Sequence, residues 1–267
     1  MDSADPSGFP WLALPIGAAS AALLHGARIA SRRLLAEAPI APPPDGGGLD
    51  RRDALGLVVL LVVALGLRLW GVAEVPIDAD EPVTLTIGGL DGWAAADDAR
   101  IHPPLSALLV HWVTRGQLDF AAARLLSVAI GVATVLVVYV GSRRTGRWSA
   151  LVAAALVTLA PSAIHLSRLA RGYALLALLV TLAHVLLWSA VRRPTNLRWL
   201  LYSLAVALAL SAEYLAAAPL LVDAMVAIWA ARRQLGRAID VGASLSAGAL
   251  GVGFLGYAEH LLRATVI

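Results

Sequence analysis

The sequence predicts an all-helical bundle that crosses a membrane about eight times. Three observations lead there. The 267 residues are 59% hydrophobic and 15% charged, with a mean hydropathy of +0.77, whereas a soluble domain carries about 25% charged residues. The apolar excess comes in separate runs near the ~20 residues needed to cross ~30 Å of hydrocarbon, not in the amphipathic stripes of a soluble core. The charges between those runs are sorted by sign on alternate loops.

The apolar runs are 9–30, 54–72, 121–142, 149–166, 172–191, 199–212, 215–231 and 241–258. The first holds Pro10 and Pro15 but lacks the basic start of a secretory signal, so it reads as an extra N-terminal span within 1–30. A Pro/Gly-rich stretch, Ala41-Pro-Pro-Pro-Asp-Gly-Gly-Gly-Leu49, makes 31–53 a linker between that span and the rest. Runs 199–212 and 215–231 meet at Ser211-Ala-Glu-Tyr214 and read as a tight hairpin, one long bent helix being the other reading.

Every basic side chain is Arg, and the arginines cluster. One set of loops carries Arg32, Arg33, Arg51 and Arg52, then Arg143, Arg144 and Arg147. It continues with Arg192, Arg193 and Arg198, and then Arg232, Arg233 and Arg237. The alternate set holds most acids, among them Glu74, Asp78, Asp80, Glu81, Asp119 and Glu213. The positive-inside rule makes the arginine loops cytoplasmic, with both termini and the tail 259–267 outside. The pI of 9.8 is then a topology signal, and nucleic-acid binding is rejected. The absence of cysteine excludes disulfides, thiolate metal sites and cysteine nucleophiles. The Arg-only, Ala/Leu/Gly-rich usage suggests a GC-rich bacterial genome, and hence a bacterial cytoplasmic membrane. Loop 73–120 is the one long outer segment. Within it, 105–113 is too short to cross and is expected to lie on the surface, with Trp112 and Arg115 at headgroup level.

Chemistry is densest at Ile77-Asp-Ala-Asp-Glu-Pro82. Three carboxylates so close repel each other, which tends to raise at least one pKa and suits a group that takes a proton from a hydroxyl. A solvated acidic loop is the plainer reading. Asp78 and Asp80 also offer hard oxygen ligands for a divalent cation, though nothing in the sequence requires a cofactor. The second candidate is Ser167-Arg-Leu-Ala-Arg-Gly-Tyr173. Arg168 and Arg171 stand on the side where Arg is scarce, and a guanidinium there either forks onto a phosphate or snorkels to headgroups. His102 opens the rigid His102-Pro-Pro-Leu105, Arg68 and Arg124 lie near outer span ends where each either snorkels or faces the site, and Glu213 marks the outer hairpin. Asp223 lies inside a span, where an acid is expected to face the bundle interior with an Arg or hydroxyl partner.

In order along the chain, Leu67-Arg-Leu-Trp-Gly71, Asp80-Glu81, His102-Pro-Pro-Leu105, Arg124 and Ser167-Arg-Leu-Ala-Arg-Gly-Tyr173 form a recognisable series. It resembles the GT-C superfamily of membrane glycosyltransferases, in its protein O-mannosyltransferase and lipid A aminoarabinose transferase branch. The resemblance covers about 54–258. It implies a shared module of about seven spans, with surface-lying helices in the first outer loop. It makes Asp80 the general base, with Glu81 beside it to orient acceptor or donor. The implied donor is a polyprenyl-phosphate sugar, with Arg171 on its phosphate and Arg168 and Tyr173 as helpers. His102, Arg124, Asp78 and Glu213 complete the expected binding residues. Relatives usually run longer, so acceptor-binding parts are expected from a partner subunit. Many also carry Lys or His where Glu213 stands.

Direct displacement with a single base predicts an inverting transfer to an acceptor hydroxyl on the outer face. A non-catalytic membrane scaffold that keeps the module is the alternative. A transporter is disfavoured, because intramembrane charges are few and no pair of broken spans is evident.

Overall fold

The computed structural model describes residues 50–78, 80–89, 104–193 and 195–233, and these are helical with no strand among them. The runs 9–30 and 241–258, together with His102, lie outside the described residues. The helices are α1 (Arg51–Leu69), α2 (Glu81–Gly89), α3 (Pro104–Thr114), α4 (Phe120–Ser142), α5 (Arg147–Leu159), α6 (Pro161–Leu166), α7 (Tyr173–Arg192), α8 (Asn196–Ala212) and α9 (Ala217–Arg233). Short 3-10 turns, Arg143–Thr145 and Tyr214–Ala216, connect α4 to α5 and α8 to α9.

Two helical segments among the described residues are long and apolar enough to cross a bilayer. They are Phe120–Thr145, with mean hydropathy 2.2, and Tyr173–Arg192, with 2.3. At 1.5 Å per residue α4 is about 35 Å long and α7 about 30 Å, matching the hydrocarbon thickness. The outward faces are apolar as well: Val58, Val62, Leu136, Val152, Leu156, Leu204 and Met225 are all exposed. A water-soluble bundle would place polar residues there, so a helix set that is apolar all round has lipid as its solvent. Trp70 and Trp112 at one end, and Trp148 at the other, are more than 70% exposed. Amphipathic rings occupy that level at both membrane–water interfaces.

Close packing comes from small side chains. Ala183 and Ala190 of α7 and Ala205 and Ala209 of α8 are buried together, letting the two backbones approach. A second cluster joins α1, α4 and α5 through Ala64, Val135, Tyr139, Ala150 and Ala154. A third joins α2, α3 and α4 to the turn before α7 through Leu85, Val110, Ala123 and Ala170.

The run 149–166, expected as one span, is broken. Pro161 has no N–H for the carbonyl of Val157, and Ala160 before it takes an extended backbone (ψ 118°). Arg68 fills the gap. Its Nη2 donates to Val157 O at 3.2 Å and its Nη1 to Thr158 O at 3.5 Å. Arg68 therefore turns inward, 1% exposed, and does not snorkel. The junction at Glu213 is a true interruption, because its backbone is extended (φ −157°, ψ 134°) and the one-bent-helix reading fails there.

At the opposite end, the buried Asp53 of α1 pairs with Arg143 Nη1 at 3.1 Å and Arg147 Nε at 2.6 Å. That fixes the first turn of α1 to the α4–α5 connection.

Candidate active site

Four segments meet at the end of the bundle where α1 stops and α4 and α7 begin. Pro82 in the first turn of α2 needs no N–H partner there, so the helix starts directly after the acidic run. Asp78 Oδ1 accepts from the Asp80 amide at 3.2 Å, and Glu81 Oε2 accepts from the Asp78 amide at 3.1 Å. The three neighbouring acids thus receive three different environments.

Glu81 is fully buried. Its carboxylate receives Arg124 Nη2 at 2.7 Å and Nε at 3.0 Å, and the Ala170 amide at 2.6 Å. Burial pushes its pKa up. Arg124 and the two amides outweigh that and hold it below the usual Glu value. Arg124 is spent on the same network, donating also to the carbonyls of Val72 and Val75 at 3.0 and 2.9 Å. Both residues were expected at the substrate. In the structure they pair with each other and tie the acidic loop to α4 and the turn before α7.

Asp80 is the acid left facing outward. Its side chain is 49% exposed, and Oδ2 lies 2.7 Å from Nη2 of Arg171, itself 12% exposed. The Arg171 guanidinium stacks 4.5 Å from the centre of the Tyr173 ring. Glu213 comes up behind. A Cβ on Gly172 would stand 2.6 Å from Glu213 Oε1 and 3.2 Å from the Ala212 carbonyl, so only glycine admits that approach. Burial raises the Glu213 pKa, and Arg171 offsets part of the rise. Arg168 is turned away, donating through Nη2 to the Leu67 carbonyl at 2.5 Å, where it helps cap α1.

The arrangement gathers Asp80, Arg171, Tyr173 and Glu213 at one place and leaves Arg168, Arg124 and Glu81 as its supports. Among the described residues, no group of three or more His, Asp or Glu side chains is placed to hold a metal ion. A half-exposed carboxylate beside a stacked guanidinium can accept a proton from a hydroxyl while the guanidinium binds an oxyanion.

Deeper in the bundle, Asp223 of α9 is 1% exposed, with Oδ1 3.1 Å from Nε2 of His184 on α7. Its partner is thus a histidine, where an Arg or a hydroxyl was expected. Positions two helices apart can be paired only once α7 and α9 are packed.

The apolar helical bundle with this charged cluster at its rim suits a membrane glycosyltransferase of the GT-C type, and the family match assigns it to that class. Residues 110–259, more than half of the chain, match the dolichyl-phosphate-mannose-protein mannosyltransferase family, and the chain belongs to it. The match takes in Arg124, Arg168, Arg171, Tyr173 and Glu213 and begins after Asp80 and Glu81. No curated protein sequence and no solved structure matches the chain.

Proposed function

We propose that the chain transfers a sugar, mannose by the name of its family, from a polyprenyl-phosphate donor to an acceptor hydroxyl, with inversion, at the outer face of a bacterial cytoplasmic membrane. The observation that carries this reading is the 2.7 Å pair between the outward Asp80 carboxylate and Arg171. Nucleotide sugars are not found outside that membrane, so a lipid-linked donor suits an outward site. The module proposed for this activity is residues 54–258, which include the outer loop 73–120.

In the free protein Arg171 neutralises Asp80. A donor phosphate competes for the guanidinium, accepts its forked donors and leaves Asp80 with a free oxygen. Asp80 then takes the proton of the acceptor hydroxyl as that oxygen bonds to the anomeric carbon. The bond from that carbon to the phosphate oxygen breaks, and the lipid phosphate leaves with the electron pair. Negative charge growing on the leaving phosphate is met by Arg171 in a water-poor site, where fixed donors act most strongly. Tyr173 holds the guanidinium plane by stacking.

The test is transfer from a polyprenyl-phosphate sugar by the purified protein in nanodiscs. Asp80→Asn should lower the rate by ~100-fold or more, the usual worth of a positioned base. Arg171→Ala should weaken donor binding as well as rate, with membrane abundance unchanged for both. Full transfer by Asp80→Asn would sink the assignment. Absence of transfer and of donor binding in the folded wild type would favour the scaffold reading.

A further inference from the structure

Within the cluster at the rim of the bundle, Glu213 is the side chain to which the transfer scheme gives no task. Its place follows from a break in the backbone. α8 ends at Ala212, Glu213 is extended (φ −157°, ψ 134°), and the 3-10 turn Tyr214–Ala216 follows. A side chain at such a break leaves the helical stripe, and this one reaches the turn that carries Arg171. A Cβ on Gly172 would stand 2.6 Å from its Oε1 and 3.0 Å from its Cγ, so the carboxyl group lies against the residue next to Arg171. Glu213 is half-buried. Among the described residues, neither of its carboxyl oxygens has a hydrogen-bond or ion-pair partner. The Arg171 guanidinium pairs with Asp80 at 2.7 Å and stacks on Tyr173 instead.

A half-buried acceptor without a donor is a cost to the fold unless a ligand supplies one. A phosphate ester is a poor source, because its oxygens accept and its charge repels a carboxylate. A sugar is a good one, since each of its hydroxyl groups can donate. The bond broken in transfer joins the sugar to a phosphate oxygen. With the phosphate on Arg171, the sugar ring therefore lies beside that guanidinium and its neighbours. We propose that Glu213 selects the donor sugar, accepting hydrogen bonds from its ring hydroxyls while Arg171 holds the phosphate. The assignment rests on the sugar-transfer reading of this site. Arg171 then recognises a lipid phosphate whatever sugar it carries, and the choice among sugars falls to Glu213. A carboxylate placed for a hydroxyl discriminates strongly, because an analogue lacking that hydroxyl leaves it unpaired.

The test measures equilibrium binding to the full chain, purified in neutral detergent. The probes are a short-chain polyprenyl phosphate, its mannosyl ester, and the same ester with one sugar hydroxyl at a time removed. In the wild type at least one deoxy donor should bind about 10-fold more weakly than the mannosyl lipid, the worth of a hydrogen bond to a charged acceptor. Glu213→Ala should bind those two alike, and should bind the bare polyprenyl phosphate as the wild type does. Arg171→Ala should weaken all of them. Glu213→Gln keeps the shape and a carbonyl acceptor and should retain part of the discrimination. It decides the matter if the alanine variant does not fold. Deoxy donors that all bind the wild type as the parent does overturn the proposal. So does a loss in Glu213→Ala that is equal for the bare and the mannosyl lipid, which would make Glu213 part of the phosphate site or of the fold. No binding of the mannosyl lipid by folded wild type overturns both this assignment and the transfer reading. Selective binding without sugar transfer leaves the assignment of Glu213 standing and removes the catalytic reading alone.

Discussion

At the residue scale, three acids in four positions have been given three separate jobs. Asp78 turns the loop, Glu81 is buried under Arg124, and Asp80 is presented to solvent beside Arg171. Breaking the Glu81–Arg124 pair leaves a buried charge without a partner, a loss of about 3–5 kcal/mol. Arg124→Ala should therefore lower the melting temperature steeply, where Asp80→Asn leaves it nearly unchanged. The pH dependence has a definite sign. The Glu81 pKa is depressed in the folded protein, so its stabilisation is complete above the ordinary value of 4.5 and is lost as pH falls through the lower folded value. Melting curves of wild type and Glu81→Gln should converge at low pH and separate above about pH 5. Curves that run parallel across that range would rule that stabilisation out.

The element scale is governed by broken and closely packed helices. Pro161 divides an apolar run long enough to be one span, and Arg68 is recruited from α1 to the freed carbonyls. That places Arg68 against α4, and only Gly131 leaves room for it. A Cβ there would stand 2.6 Å from Ser167 Cβ and 2.9 Å from Arg68 Nε. Gly131→Ala should cost about 1–3 kcal/mol of stability, as overpacking of a filled interior does. Gly66 in α1 has nothing within 4 Å of such a Cβ, and Gly66→Ala should be neutral or stabilising by up to ~1 kcal/mol. Thermal unfolding of both variants in one detergent makes the comparison, and equal effects would show that packing at Gly131 is not tight. The helical segments themselves were legible from run length and composition. The break was not, because Pro161 near the end of an apolar run is equally compatible with a kink that stays continuous.

At the scale of the whole molecule, the arginine-rich loops and the acidic ones among the described residues fall at opposite ends of the bundle, with an apolar outer surface between them. That arrangement makes the orientation directly testable, since the chain contains no cysteine. Glu74→Cys, at the end carrying Asp80, should react with a membrane-impermeant maleimide on intact cells. Thr145→Cys, in the α4–α5 turn, should react only after permeabilisation. The reverse pattern would place the candidate active site in the cytoplasm, where a lipid-linked donor loses its rationale.

The sequence by itself determined the solvent of this protein, the helical state of the apolar runs among the described residues and the two short motifs, Asp80-Glu81 and Arg168 to Tyr173, that carry the candidate site. Those properties depend on local composition and on spacing along one segment, so they can be read without knowing what packs on what. The tertiary structure alone decided which acid is exposed and which is buried, that Arg171 joins Asp80 while Arg168 reaches the Leu67 carbonyl and Arg124 reaches Glu81, and that His184 meets Asp223. Each of those outcomes turns on the rotation of one helix against another. A helix turned by a third of a revolution would exchange the exposed carboxylate for a buried one, and only close packing of small residues between neighbouring helices fixes that angle.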